Sequence, residues 1–209
     1  IGTSHAKIIL MGEHSVVYGQ PAIALPLPDV KLTVTLTPTD EGQTVKSRYY
    51  TGDWHELPPV MQGVQQLIAT LIEHFAGAND HWLLTIDSQL PAERGMGSSA
   101  ATAVAIVRAF FDYYDAPLGR HELLTLADVE EQITHRSPSG LDAATVSSKT
   151  PLYYIKGHEG TPIPMNLQAT MVIADTGVKG ATKEAILAVQ NLLTTDHQLA
   201  QDHIEHLGQ

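Results

Sequence analysis

Apolar positions change rhythm along this chain, and each rhythm predicts an element. Ile8-Ile9-Leu10, inside residues 6–11, form a short continuous apolar run and predict a buried strand. Residues 30–37 alternate apolar and polar, the mark of a strand wet on one face. From Pro59 onward Val60, Val64, Leu67, Ile68, Leu71, Ile72 and Phe75 recur at helical spacing, and Gly77 stops the helix. Residues 82–86 predict a strand that leads to Pro91. The run from Ala100 through Val104, Ala105, Val107 and Phe111 predicts a helix, and residues 123–133 another. Residues 152–155 and 170–174 read as short strands, and residues 182–193 as a further helix. Strands come first, then helices and strands mix without a regular βαβ rhythm, so the fold class is α+β. Glycine and proline cluster at residues 157–164 and mark a weak boundary. Tyr49, Tyr50 and Trp54 sit in a polar region punctuated by Gly42 and Gly52, where aromatics pack more often than they line pockets.

The stretch Glu93-Arg94-Gly95-Met96-Gly97-Ser98-Ser99-Ala100-Ala101 is a glycine-rich loop opening onto a helix. Ser98 or Ser99 is a natural N-cap. Glycines ahead of a helix let the backbone approach a ligand, and free N–H groups coincide there with the positive end of the helix dipole, which suits phosphate. A serine hydroxyl at that place can help hold a magnesium ion bridging phosphate oxygens. No Lys-Ser/Thr pair follows the glycines, so this is not a Walker A loop, and the third glycine of a dinucleotide fingerprint is missing. Alone, the stretch fits a tight turn and a capped core helix equally well.

Composition narrows the classes. The 209 residues, 43% of them hydrophobic, suffice for a sizeable core. Twelve basic against 23 acidic residues leave a formal charge of −11, which argues against nucleic acid or an anionic membrane as the main partner. With no cysteine there are no disulfides or thiolate metal sites, as suits a cytoplasmic enzyme. No run approaches the roughly 20 apolar residues of a membrane span. The start, Ile1-Gly2-Thr3-Ser4, has neither a charged signal-peptide region nor an initiator methionine, so the chain is expected to be soluble, with its first residues either trimmed or not observed.

Three segments taken together carry a resemblance. Residues 7–19, with Lys7 and Gly12-Glu13-His14-Ser15-Val16-Val17-Tyr18-Gly19, resemble the first motif of the small-molecule kinases named for galactose, homoserine, mevalonate and phosphomevalonate, the GHMP kinases. Residues 91–101 resemble their phosphate loop, and Pro138-Ser139-Gly140-Leu141-Asp142 their acidic catalytic segment. Within the family, Gly12 to Gly19 is most similar to members acting on mevalonate. The resemblance implies a two-domain GHMP kinase fold. An N-terminal ribosomal-protein-S5-domain-2-like domain would occupy residues 1–160, and a partial ferredoxin-like C-terminal domain residues 161–209. It implies ATP on Glu93 through Ala101, magnesium on Ser99 and Glu131, Asp142 as base with Lys7 beside it, and His14, Glu13 and Thr182 at the acceptor. The implied reaction is phosphorylation of mevalonate on its 5-hydroxyl by a cytoplasmic monomer or homodimer. Phosphomevalonate or another small-molecule acceptor, and a non-catalytic nucleotide-binding relative, are the alternatives. Taken singly, each residue has a plainer reading: Lys7 a solvated strand end, Glu131 a surface charge, Asp142 or Thr182 a helix cap, His14 a structural histidine.

The chain departs from the family pattern in three places. His5-Ala6 stands where many relatives have Pro-Gly, and Arg136 where a glycine is common. The family's third glycine-rich motif has no counterpart after Asp175, so the expectation is a truncated chain whose second domain has only begun.

Overall fold

The computed structural model describes residues 1–91, 94–134, 139–166, 168, 170–174 and 182–208, and of residues 134 and 182–186 the backbone only. The described strands are β1 (Gly2–Met11), β2 (Ala22–Pro38), β3 (Gln43–Lys46), β4 (Thr51–Asp53), β5 (Trp82–Ser88), β6 (Leu152–Tyr154) and β7 (Thr161–Pro162). The helices are α1 (Gln62–His74), α2 (Ser98–Tyr113), α3 (Arg120–Thr134), α4 (Leu141–Val146), α5 (Thr182–Thr195) and α6 (His197–Leu207). The strands form one sheet in the order β4-β3-β5-β2-β6-β7, with β1 along β2, and every pairing is antiparallel except β3 with β5. This is the mixed α+β arrangement that the strand-first pattern predicts.

β2 is the spine of the sheet. Its first residues, Ala22–Ala24, pair with β6, its last, Leu32–Pro38, pair with β5, and β1 runs along most of its length. The alternation at residues 30–37 therefore catches only its second half. The β1–β2 register shifts between His5 and Ala6, where the partner jumps from Lys31 to Leu27 and leaves out residues 28–30. Pro28 falls in that bulge, where its missing N–H costs no ladder bond.

Helix α2 is buried on nearly every side, from Ala100 to Phe111, because it lies between the sheet and α1 with α3. Leu67, Ile68 and Leu71 of α1 and Trp82 and Leu84 of β5 complete the main core. Trp54 joins it and donates its indole N–H to Gln43 Oε1 at 2.9 Å, so this ring packs, whereas Tyr49 is exposed. A smaller core of Val16, Ala22, Ala24, Leu141, Ala144, Leu152 and Tyr154 sits beneath α4.

The strand expected at residues 170–174 does not form. Met171, Val172 and Ile173 are exposed, and none of the described strands pairs with them. An apolar run becomes a strand only where a neighbour supplies the other half of the ladder. Beyond it, α5 and α6 pack on one another, and α6 rests on the 3-10 turn Ser15–Tyr18.

Candidate active site

Lys7 is the residue at which the first two motifs meet. Its backbone N–H donates to the Met96 carbonyl at 3.0 Å, which ties β1 to the glycine-rich loop. Gly95 and Gly97 both take left-handed conformations, at φ 70° and 72°. Gly97, not Ser98 or Ser99, is the N-cap of α2, and no side chain caps this end. The turn into the helix requires a positive φ at the cap, which glycine adopts without cost and serine does not. The helical ladder begins with the Ala101 N–H on the Gly97 carbonyl at 2.8 Å, so the N–H groups of residues 98–100 lie ahead of it, as an anion site requires. The Ala100 and Ala101 side chains are buried in the core, which leaves only their backbone for a ligand.

The Lys7 ammonium meets Asp142 Oδ1 at 2.8 Å, with the Lys7 side chain 4% exposed and that of Asp142 32%. Lys7 is thus a buried cation and no solvated strand end. Asp142 is the second residue of α4, and Leu141 and Ala144 on either side of it are held in the smaller core. The far end of α4 is pinned as well. The Val146 carbonyl accepts from the Ser4 hydroxyl at 3.2 Å, that of Ser147 from Arg108 at 3.2 Å, and that of Ser148 meets a His5 ring nitrogen at 2.8 Å. Arg108 also donates to the Thr3 carbonyl at 2.6 Å, so one guanidinium on α2 joins β1 to the end of α4. His5 thereby ties the β1 bulge to the end of α4 by a hydrogen bond.

Glu130 and Glu131, near the end of α3, are both buried, at 4% and 6% exposure. They face different neighbours. Glu130 Oε1 accepts the Ser99 hydroxyl at 2.5 Å. Glu131 has a buried Oε2 with no hydrogen-bond partner, and burial, then Asp142, Asp128 and Glu130 as like charges, push its carboxyl up to about 8. The surface-charge reading of Glu131 therefore fails. A cleft of about 270 Å³ opens beside Glu131, between α3, α4 and Tyr154.

Glu13 and His14 are exposed on the loop after β1, in no hydrogen bond with Lys7 or Asp142 among the described residues. Thr182 begins α5, but its side chain, like Glu93, Arg136 and Pro138, lies outside the described residues. Among the described residues no cluster of three or more histidine or acidic groups could by itself hold a metal. Magnesium beside ATP takes most of its oxygens from phosphate and water, so few protein ligands suffice. The Ser99 hydroxyl and the orphaned Glu131 oxygen fit that requirement, since a cation there would restore the ionised carboxylate. Sequence reasoning missed Glu130, Arg108 and Ser4. The adjacent glutamates were visible, but their helical spacing could not tell that both are buried.

The coupling of Glu131 has a pH consequence. Folded Glu131 holds its proton to about 8, whereas the ordinary value is 4.5, so between these values the folded state binds more protons than the unfolded. Stability from this group is present below 4.5 and lost as pH rises through 8. In metal-free buffer Glu131→Gln should flatten the fall in melting temperature between about pH 5 and pH 8. Parallel curves for mutant and wild type would show that Glu131 is not protonated when folded.

Residues 62–149 match the GHMP kinases N terminal domain family. The whole chain aligns with the mevalonate kinase of Pyrococcus abyssi at 30% identity, covering 66% of that protein. The crystal structure of mevalonate kinase from methicillin-resistant Staphylococcus aureus is 37% identical with a TM-score of 0.62, over 78% of this chain and 54% of that one. The chain belongs to the GHMP kinase family. It spans just under two thirds of the Pyrococcus relative. Leishmania (L. major) mevalonate kinase, crystallised with R-mevalonate, shares this GHMP kinase fold at a TM-score of 0.71 and 20% identity, over 98% of this chain and 64% of that one. No described helix is long and apolar enough to cross a membrane.

Proposed function

We propose that this GHMP kinase transfers the γ-phosphoryl group of ATP to the 5-hydroxyl of mevalonate, giving 5-phosphomevalonate and ADP. The observation that carries the reading is the Lys7–Asp142 ion pair at 2.8 Å, joined through the Lys7 backbone to the glycine-rich loop. Relatives named mevalonate kinase at 30% and 37% identity support the choice of acceptor. In the reaction the bond between the γ-phosphorus and the β,γ-bridging oxygen breaks, and a bond from the 5-hydroxyl oxygen to that phosphorus forms. The hydroxyl proton passes to Asp142 Oδ and on to solvent. Phosphoryl transfer needs neutralised charge and an aligned hydroxyl more than covalent help. Lys7 supplies a desolvated positive charge at the reacting centre and holds Asp142 in place. The N–H groups at the start of α2, with Arg94 and Met96 on the loop, would cradle the phosphates. Magnesium, when bound, spreads the negative charge of the phosphate oxygens, and Ser99 and Glu131 would hold it. Glu13 and His14 would contact the acceptor from the loop after β1, and Thr182 from the start of α5. We assign residues 1–160 to the nucleotide-binding domain and 161–209 to the start of a second domain.

An ADP-release assay on the whole protein, offering mevalonate, phosphomevalonate, galactose and homoserine in turn, tests the reading. Turnover that depends on mevalonate is the expected result. Turnover on another acceptor keeps the kinase and discards the substrate, and magnesium-dependent nucleotide binding without any turnover discards the enzyme.

A further inference from the structure

Glu130 is a buried carboxylate that the reaction scheme leaves without a task. It sits on α3 at 4% exposure, and Oε1 accepts the Ser99 hydroxyl from the first turn of α2 at 2.5 Å. The packing around it is shaped for it. A side chain at Gly63 of α1 would start 2.8 Å from Glu130 Oε1 and 3.0 Å from its Cγ, so α1 carries a glycine where it faces α3 at this point. A carboxylate is expensive to bury, and an apolar side chain of the same size would hold α1, α2 and α3 together at no such cost. Its bond to the phosphate-loop serine is the contact that gives the carboxylate a place beside the site.

We infer that Glu130 is a positioning residue for the phosphate-loop serine. A hydroxyl that ligates a cation through its oxygen must send its proton elsewhere, and an acceptor for that proton fixes the rotamer and makes the oxygen a better donor. Glu130 takes the Ser99 proton from the α3 side, which turns the free lone pairs of Oγ toward the open end of α2. The two neighbouring glutamates then divide the work: Glu131 feels the charge of Asp142, and Glu130 holds the Ser99 hydroxyl. This inference rests on the ATP-and-magnesium reading above.

The test is magnesium titration of fluorescent ATP-analogue binding to the whole protein, for wild type, Glu130→Ala, Glu130→Gln, Ser99→Ala and the doubles. The expected result is apparent magnesium affinity about tenfold weaker in Glu130→Ala. Glu130→Gln, whose amide oxygen still accepts from Ser99, loses less, and Glu130→Leu, which fills the same space without an acceptor, replaces the alanine variant if that fails to fold. In the Ser99→Ala background, replacing Glu130 should change the titration by less than about twofold, because the two act as one unit. Wild-type affinity in both Glu130 variants overturns the inference. An undiminished loss in the Ser99→Ala background also overturns it and makes Glu130 a direct ligand. Wild type without magnesium-dependent nucleotide binding overturns the functional reading and the inference with it. Binding by wild type with unchanged variants overturns the inference alone.

Discussion

Asp142→Asn is expected to lower turnover by about 10² to 10⁴-fold while nucleotide binding persists. Asparagine keeps the shape and can still accept a hydrogen bond from Lys7, but it cannot take the alcohol proton or offset the Lys7 charge. The loop that would bind ATP stands on α2 and its tie to the Lys7 backbone, neither of which the substitution touches. The fold should also survive. Asp142 is a third exposed, so water screens part of the change, and it heads the like charges that hold Glu131 protonated. With Asp142 neutral, Glu131 ionises more readily and supplies part of the counter-charge that Lys7 loses. We therefore expect a drop in melting temperature of only a few degrees, at about 2–4 °C per kcal/mol for a chain of this size. Retention of more than a tenth of wild-type turnover, measured with saturating ATP and acceptor, would remove Asp142 from the proton path.

Gly97→Ala is the second large effect, and it reaches both the loop and the ion pair. Gly97 sits at φ 72°, where an alanine costs about 1–2 kcal/mol. Its added carbon would also lie 2.9 Å from Lys7 Cγ, 3.1 Å from Lys7 Cε and 3.2 Å from Val146. The Lys7 stem must give way, and its ammonium, 2.8 Å from Asp142, moves with it. Misplacement of a reacting group by about 1 Å is enough to cost about 10²-fold in rate. Gly95→Ala is the control, because Gly95 has a similar φ of 70° but open space around it. It carries the backbone strain without the contact. We expect Gly97→Ala to melt lower than Gly95→Ala, because the contact adds to the strain, both variants to bind nucleotide more weakly, and a rate loss at saturating ATP confined to Gly97→Ala. Equal turnover in both would show that the Lys7 contact does not matter to the chemistry.

Much of this molecule was legible in the residues. The helical spacing of Val64, Leu67, Ile68 and Leu71 and of Val104 and Val107 located α1 and α2, because a helix that buries one face or all faces must repeat its apolar residues at its own period. Gly95 and Gly97 announced a tight approach to a helix start. Lys7 and Asp142, 135 positions apart in sequence, could be joined only by likeness to a family, and the structure places them in one ion pair. Residues 170–174 misled for a general reason: the period of a strand says nothing about whether a partner exists.

The order of residues alone specifies the set of parts: an α+β chain, a phosphate-type loop before a buried helix, and acidic and basic residues of the right kinds. These follow from local periodicity and from the backbone demands of glycine. Packing alone settles which of the two glutamates accepts the Ser99 hydroxyl and which feels the Asp142 charge, that Gly97 and not a serine caps α2, and that His5, Ser4 and Arg108 fasten α4. Each of these depends on the burial of a polar group against an element far away in sequence, and burial is a property of the packed elements, which no local pattern contains.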